Sequence, residues 1–162
     1  MYQIDLIKFE NVLEELKNWK KQVRPWRRRK QIMNYDKNNI FAKILREEIP
    51  CNKIYENDYV LSFHDINPQK KIHALVIPKG DYINLDDFNK RASDKEIVAL
   101  SKGITEVSKI LGISTDTGKG YRALTNLDDH GGQEVPHLHF HLFGGEKIGK
   151  MVEWKKKSLE TI

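Results

Sequence analysis

The chain has 162 residues, 39% of them hydrophobic and 31% charged, with a single cysteine, Cys51. This describes one globular domain with an appendage, and one cysteine excludes an internal disulfide framework or a cysteine-built zinc site, which fits a reducing cytoplasm. The longest apolar run, Ala74-Leu75-Val76-Ile77, is far too short for a signal-peptide core or a membrane span.

The net charge of +5 is localised: residues 1–32 hold nine Lys/Arg and four Asp/Glu, which leaves nineteen of each in the remainder. Apolar residues at Ile4, Ile7, Val12, Leu16 and Trp19 trace a helical stripe, followed by a basic run from Lys20 to Lys30. Such a run is either an arm for RNA or an acidic membrane surface, or a solvated extension; basic runs by themselves bind polyanions without specificity. A further reading takes Met33 as the natural start. Residues 1–35 are therefore expected to be a basic extension, poorly ordered or non-native, with residues 36–152 forming the domain and 153–162 a C-terminal tail.

Asn38-Asn39 predicts the cap of a short helix over Ile40–Glu48, stopped by Pro50. Lys53–Glu56 and Tyr59–Phe63 read as strands around the turn Asn57-Asp58. The polar loop His64–Gln69 leads to a strongly apolar strand, Ile72–Pro78, in which His73 is either a hydrogen-bonded core histidine or a support for the site. Residues 79–92 read as loop. Ser93 and Glu96 have capping-box spacing, and Ile97, Leu100, Ile104, Val107 and Leu111 mark one face of a long helix that Gly112 ends. Tyr121–Asn126 reads as a strand, and Leu127–Glu134 as a polar connection whose Gly131-Gly132 pair suits a turn or backbone donors aimed at an anion.

The segment His137-Leu138-His139-Phe140-His141-Leu142-Phe143 then carries three of the six histidines at strict two-residue spacing. Alternation over seven residues predicts a half-buried strand. Leu138, Phe140 and Leu142 face a core and three imidazoles line one open face, roughly 6–7 Å apart along the strand. A neutral imidazole is a good nucleophile and leaving group near neutral pH. One ring can attack phosphorus while its neighbours move protons or bond the phosphate oxygens. A zinc ion held by two of the histidines, with Glu134, Asp128, Asp129 or His130 nearby in sequence, is the competing scheme.

The segment His137–Phe143 resembles the motif that names the histidine triad superfamily, His-φ-His-φ-His-φ-φ with φ apolar. Phe63–Gln69, Ile72–Lys79, Asn126 with Gly131-Gly132-Gln133, and Gly144-Gly145 are similar to the Hint branch, the histidine triad nucleotide-binding proteins, and the resemblance spans residues 38–152. It implies an α+β fold: a five-stranded antiparallel sheet with one long and one short helix, the sheet continued across a homodimer. It implies hydrolysis of purine nucleoside phosphoramidates, adenylylated amines or acyl-adenylates to a monophosphate such as AMP or GMP. A nucleotide-binding scaffold with incidental hydrolysis is the alternative. No cofactor is required, zinc being possible, and neither a membrane nor nucleic acid is an expected partner.

By the same resemblance His139 is the nucleophile, His137 and His141 orient it and assist the leaving group, and His73 supports the triad from behind. Ile40, Phe41, Ile44, Phe63 and Ile66 form an apolar slot for the purine. His64 and Asp65 meet the base and ribose, and Asn126, Gly132 and Gln133 hold the phosphate. Glu134 stands where many members carry a hydroxyl residue, and its backbone N–H rather than its carboxylate is expected to serve the phosphate.

Overall fold

The computed structural model describes residues 34–151, together with the isolated positions Glu14 and Asn18. The helical stripe over residues 4–19, the basic run and the tail 153–162 lie outside the described residues.

Five strands form one antiparallel sheet: β1 (Lys53–Glu56), β2 (Val60–His64), β3 (Ile72–Pro78), β4 (Arg122–Leu124) and β5 (Phe140–Gly144), in the order β1-β2-β3-β5-β4. Within residues 34–151 four helices accompany it: α1 (Ile40–Leu45), α2 (Leu85–Arg91), α3 (Asp94–Ile110) and the single turn α4 (Asp128–Gly131). The α+β architecture with a five-stranded antiparallel sheet is the expected one.

Period-two alternation divides the sheet's residues between two cores. On one face Leu61, Phe63, Leu75 and Ile77 pack with Ile40, Phe41 and Ile44 of α1. On the other Val60, Ala74, Val76 and Leu142 pack with Leu100 and Val107 of α3, and with Leu138 just ahead of β5. Gly103 lets α3 lie close to β2: a Cβ there would stand 3.2 Å from Val60 Cγ1. The caps are those the sequence specifies. Asn39 Oδ1 accepts from the N–H groups of Phe41 and Ala42 at 3.0 and 2.9 Å, and Ser93 with Glu96 forms a capping box on α3.

Three expectations need correction. Residues 79–92 are not all loop, because α2 begins at Asn84, whose side chain accepts from Asp87 N–H. The first helix stops at Leu45, three residues short of Glu48. The histidine strand starts at Phe140 and not at His137. The register explains the last point. Phe140 opposes Val76, so continued pairing would set Leu138 opposite Pro78, which has no N–H to donate. The ladder ends there, and Leu138 N–H turns to Tyr82 O at 2.7 Å.

Candidate active site

The site lies on the α1 face of the sheet. His141 opposes Leu75 and Phe143 opposes His73 across the β3–β5 pair, so these side chains share that face. His139 continues the row, its ring centroid 4.9 Å from His141 and 5.2 Å from Phe41. The face is not open as expected. His137 is 0% exposed and His139 4%; Tyr35 and Phe41 lie edge-on to His137 at 5.5 and 6.1 Å between centroids. His141 is half-buried.

Heavy-atom partners assign the tautomers of all four rings. His139 Nδ1 stands 2.8 Å from the backbone carbonyl of His137, which can only accept, so Nδ1 carries the proton and Nε2 keeps its lone pair. His137 Nε2 likewise donates to Pro78 O at 2.9 Å, leaving Nδ1 to accept from the Tyr35 hydroxyl. His73 Nδ1 accepts from Gln69 N–H at 3.3 Å, so its Nε2–H donates to His141 Nδ1 at 2.9 Å, with Asp65 Oδ2 3.4 Å away. His141 therefore carries its proton on Nε2. Thr125 Oγ1 donates to His139 O at 2.7 Å and fixes the backbone where the ladder ends.

Burial favours the neutral form of every ring in this row. It pushes His137 down to about 4, only partly offset by the Pro78 carbonyl. Burial and the neighbouring His139 and His73 push His141 down to about 3. His139 and His73 are lowered by burial too, against the opposing pull of Asp65. The row is thus a set of uncharged, oriented imidazoles at neutral pH, with one nucleophilic lone pair on His139 Nε2.

Around it, Ile40, Phe41, Ile44 and Phe63 are buried in one apolar cluster, with Phe41 edge-on to Phe63 at 5.7 Å. Ile66 and Asp65 are half-buried, whereas His64, exposed at the end of β2, pairs with Ala74 and so lies on the α3 side of the sheet, away from the histidine row. Asp65 Oδ1 accepts from Asn67 N–H at 2.8 Å.

The expected phosphate loop is occupied differently. Gly131 and Gly132 N–H bond back to Leu127 O and Asp129 O within the α4 turn, which Gly132 closes at φ 72°. Gln133 Nε2 donates to Ile83 O and Val135 O at 2.6 and 2.9 Å, and its Oε1 accepts from Asp128 N–H. Gln133 thus braces the loop against the segment after β3, and its side-chain donors do not point outward. Asn126 is half-buried just before this turn.

The groups with ligand atoms mutually within 4.8 Å also differ from the zinc scheme: among the described residues the trio is Asp65, His73 and His141, not the triad with Glu134 or α4. Within that trio the two imidazoles hydrogen-bond each other. Sequence reasoning passed over Phe143, Tyr35 and the Pro78 carbonyl. Phe143 stacks on His141 with its ring 2° from parallel, and its two-residue offset from His141 already put it on the same face. Tyr35 lies 102 residues from His137, and no local pattern connects them.

Residues 46–148 match the HIT domain family. The chain is 50% identical over 118 residues to an uncharacterized 13.2 kDa HIT-like protein of Azospirillum brasilense, covering 73% of this chain and 94% of that protein. It is 43% identical over 119 residues to the purine nucleoside phosphoramidase of Escherichia coli K12, covering 72% of this chain and 94% of the enzyme. The structure of a HIT family hydrolase from Clostridium thermocellum superposes with a TM-score of 0.65 at 36% identity, covering 72% of this chain and 99% of that one. With its triad, its sheet and these relatives, the chain belongs to the HIT domain family.

Proposed function

We propose that this protein is a nucleotide-binding hydrolase. It cleaves purine nucleoside phosphoramidates, or adenylylated amines and acyl-adenylates, to a nucleoside monophosphate such as AMP or GMP, through a nucleotidyl group carried on His139. The observation that carries the reading is the Nδ1–H bond of His139 to the His137 carbonyl. It presents Nε2 as a free base in a ring that burial keeps uncharged. The phosphoramidase named among the relatives supports the substrate class.

In the first step His139 Nε2 attacks phosphorus and the P–N bond breaks, its electron pair leaving with the amine nitrogen. That nitrogen takes a proton from His141. His139 then bears phosphorus on Nε2 and a proton on Nδ1, and the His137 carbonyl stabilises the resulting positive charge. In the second step a water oxygen attacks phosphorus, the P–Nε2 pair returns to the ring, and the water's proton passes to His141. The reactive form therefore holds one extra proton on the His141–His73 pair. The negative phosphate and the neighbouring Asp65 favour that proton against the burial that otherwise drives it off. The steps use the chain's own groups, so activity in a chelator is expected to match activity without one.

Ile40, Phe41, Ile44, Phe63 and Ile66 supply the purine slot, and Asp65 the ribose contact. Among the described residues β4 is the last strand of the sheet, and its outer edge suits continuation of the sheet into a second copy of the chain. No helix among the described residues is long and apolar enough to cross a membrane, and a lone half-buried cysteine suits a reducing cytoplasm.

The test is mass spectrometry of protein quenched during turnover of an adenosine phosphoramidate. A nucleotidyl adduct on His139 is expected. Turnover no faster than in buffer, with monophosphate binding intact, would replace the hydrolase by a nucleotide-binding scaffold.

A further inference from the structure

We infer that Tyr35 is a positioning residue for the nucleophile, acting through His137 to fix the tautomer of His139. The inference rests on the proposed role of His139. Tyr35 precedes α1 and lies ahead of the segment that matches the family, residues 46–148.

The connection is a chain of three hydrogen bonds in which each fixes the next. The Tyr35 hydroxyl meets His137 Nδ1. Because His137 Nε2 already gives its proton to the Pro78 carbonyl, Nδ1 has only a lone pair, so the tyrosine must donate. This pins the His137 ring, which is 0% exposed and has no water to fall back on. The pinned residue in turn presents its own backbone carbonyl to His139 Nδ1–H. That last bond is what leaves His139 Nε2 bare.

Removing the hydroxyl strands a buried acceptor. Moving the His137 proton to Nδ1 does not repair this, since Nε2 and the Pro78 carbonyl would then confront each other with lone pairs. Either outcome loosens the His137 backbone and lets His139 take the alternative tautomer, with its proton on Nε2, which cannot attack phosphorus. Tyr35 itself is a suitable fixed donor. It is half-buried, and burial raises its pKa, so it stays protonated across the neutral range. Asp81 reinforces this, while Asn39 and Arg46 oppose it.

The experiment is Tyr35→Phe, which keeps the ring and its edge contact with His137 and removes only the hydroxyl. In the substituted protein kcat on an adenosine phosphoramidate is expected to fall by about tenfold, the rate equivalent of one neutral hydrogen bond to a buried group. KM for the nucleotide is expected to change by less than about twofold, because the hydroxyl removed is engaged by the His137 ring. Nitrogen-15 NMR of the histidine rings should show His139 moving from wholly Nδ1-protonated toward a mixture. An unchanged kcat, or a reduced kcat with an unchanged His139 tautomer, overturns the inference.

The unsubstituted protein provides a second measurement. Its spectra must show His137 protonated on Nε2 and His139 on Nδ1, and the opposite tautomer at either ring overturns the inference whether or not the variant folds. The NMR readout needs no substrate. An inactive protein with the expected tautomers would therefore count against the proposed hydrolysis and not against the Tyr35 relay.

Discussion

The two faces of this sheet are built from the same strands but serve different ends. On the α3 face every inward position of β2, β3 and β5 is apolar or small: Val60, Ser62, Ala74, Val76 and Leu142 are buried, and α3 lies against them through Leu100, Gly103 and Val107. On the α1 face the row changes character along its length. Leu61, Phe63, Leu75 and Ile77 form a core under α1, and beside them stand His73, His139 and His141. The same depth of burial that stabilises a leucine on one face strips the charge from an imidazole on the other. A single packing operation thus yields both a stable sheet and a set of neutral bases.

If the division is real, the largest effect should come from the α1 face and leave stability alone. His139→Ala is expected to lower phosphoramidate turnover by on the order of a thousandfold or more while monophosphate binding and the unfolding midpoint persist. Wild-type-like turnover in that variant would remove His139 from the chemistry. The complementary break is Leu100→Ala on α3. It should cost about 2–5 kcal/mol in urea unfolding and leave kcat per folded molecule intact; a large fall in kcat would show that the two faces are coupled.

The comparison sharpens with pH. His137 sits at about 4 when folded against an ordinary 6.5, so between those values the unfolded chain binds more protons than the folded one. Its contribution is complete above about 6.5 and fades as the pH drops toward about 4, a loss of about 3 kcal/mol for a fully buried ring. His139, His141 and His73 are lowered as well and act with the same sign. Urea midpoints measured across this range should fall steadily with acidification; a flat profile would mean that the rings are not held neutral by burial. The smallest effect is local. Asn39→Ala removes the cap of α1 and should cost about 1 kcal/mol, measurable as a shift in Tm.

Much of this was legible in the sequence where one period dominated. Lys53–Glu56 and Ile72–Pro78 appear as strands with the expected limits, and Ser93 with Glu96 marked the start of α3. The α2 helix escaped because its seven residues, Leu85–Arg91, contain only two apolar positions, Leu85 and Phe88. Its Asn84 cap and Asp86-Asp87 first turn read equally well as loop polarity. The alternation of His137–Phe143 correctly placed His139 and His141 on one face. It could not reveal that Pro78 would end the ladder, because that depends on β3–β5 register. Nor could it reveal that Tyr35 would close over His137, since nothing local links residues so far apart. Gln133 carried a plausible role as a phosphate donor until its side chain proved to be engaged by Ile83 and Val135.

Those last bonds belong to a larger pattern. The six residues from Pro78 to Ile83 give three successive carbonyl anchors to the approach of β5: Pro78 O to the His137 ring, Tyr82 O to Leu138 N–H, and Ile83 O to Gln133. Tyr82 also holds Glu96 at the start of α3 through its hydroxyl, at 2.7 Å. This connector works as a measuring tape. Its length, rather than any one side chain, sets how far His139 stands from the end of β3. The turn after α3 gives no such anchor to the histidine rings. A residue inserted between Gly80 and Tyr82 would shift the Tyr82 and Ile83 anchors relative to the Pro78 anchor and pull the three out of step, so divergence in this fold should add or delete residues elsewhere and keep the count constant here.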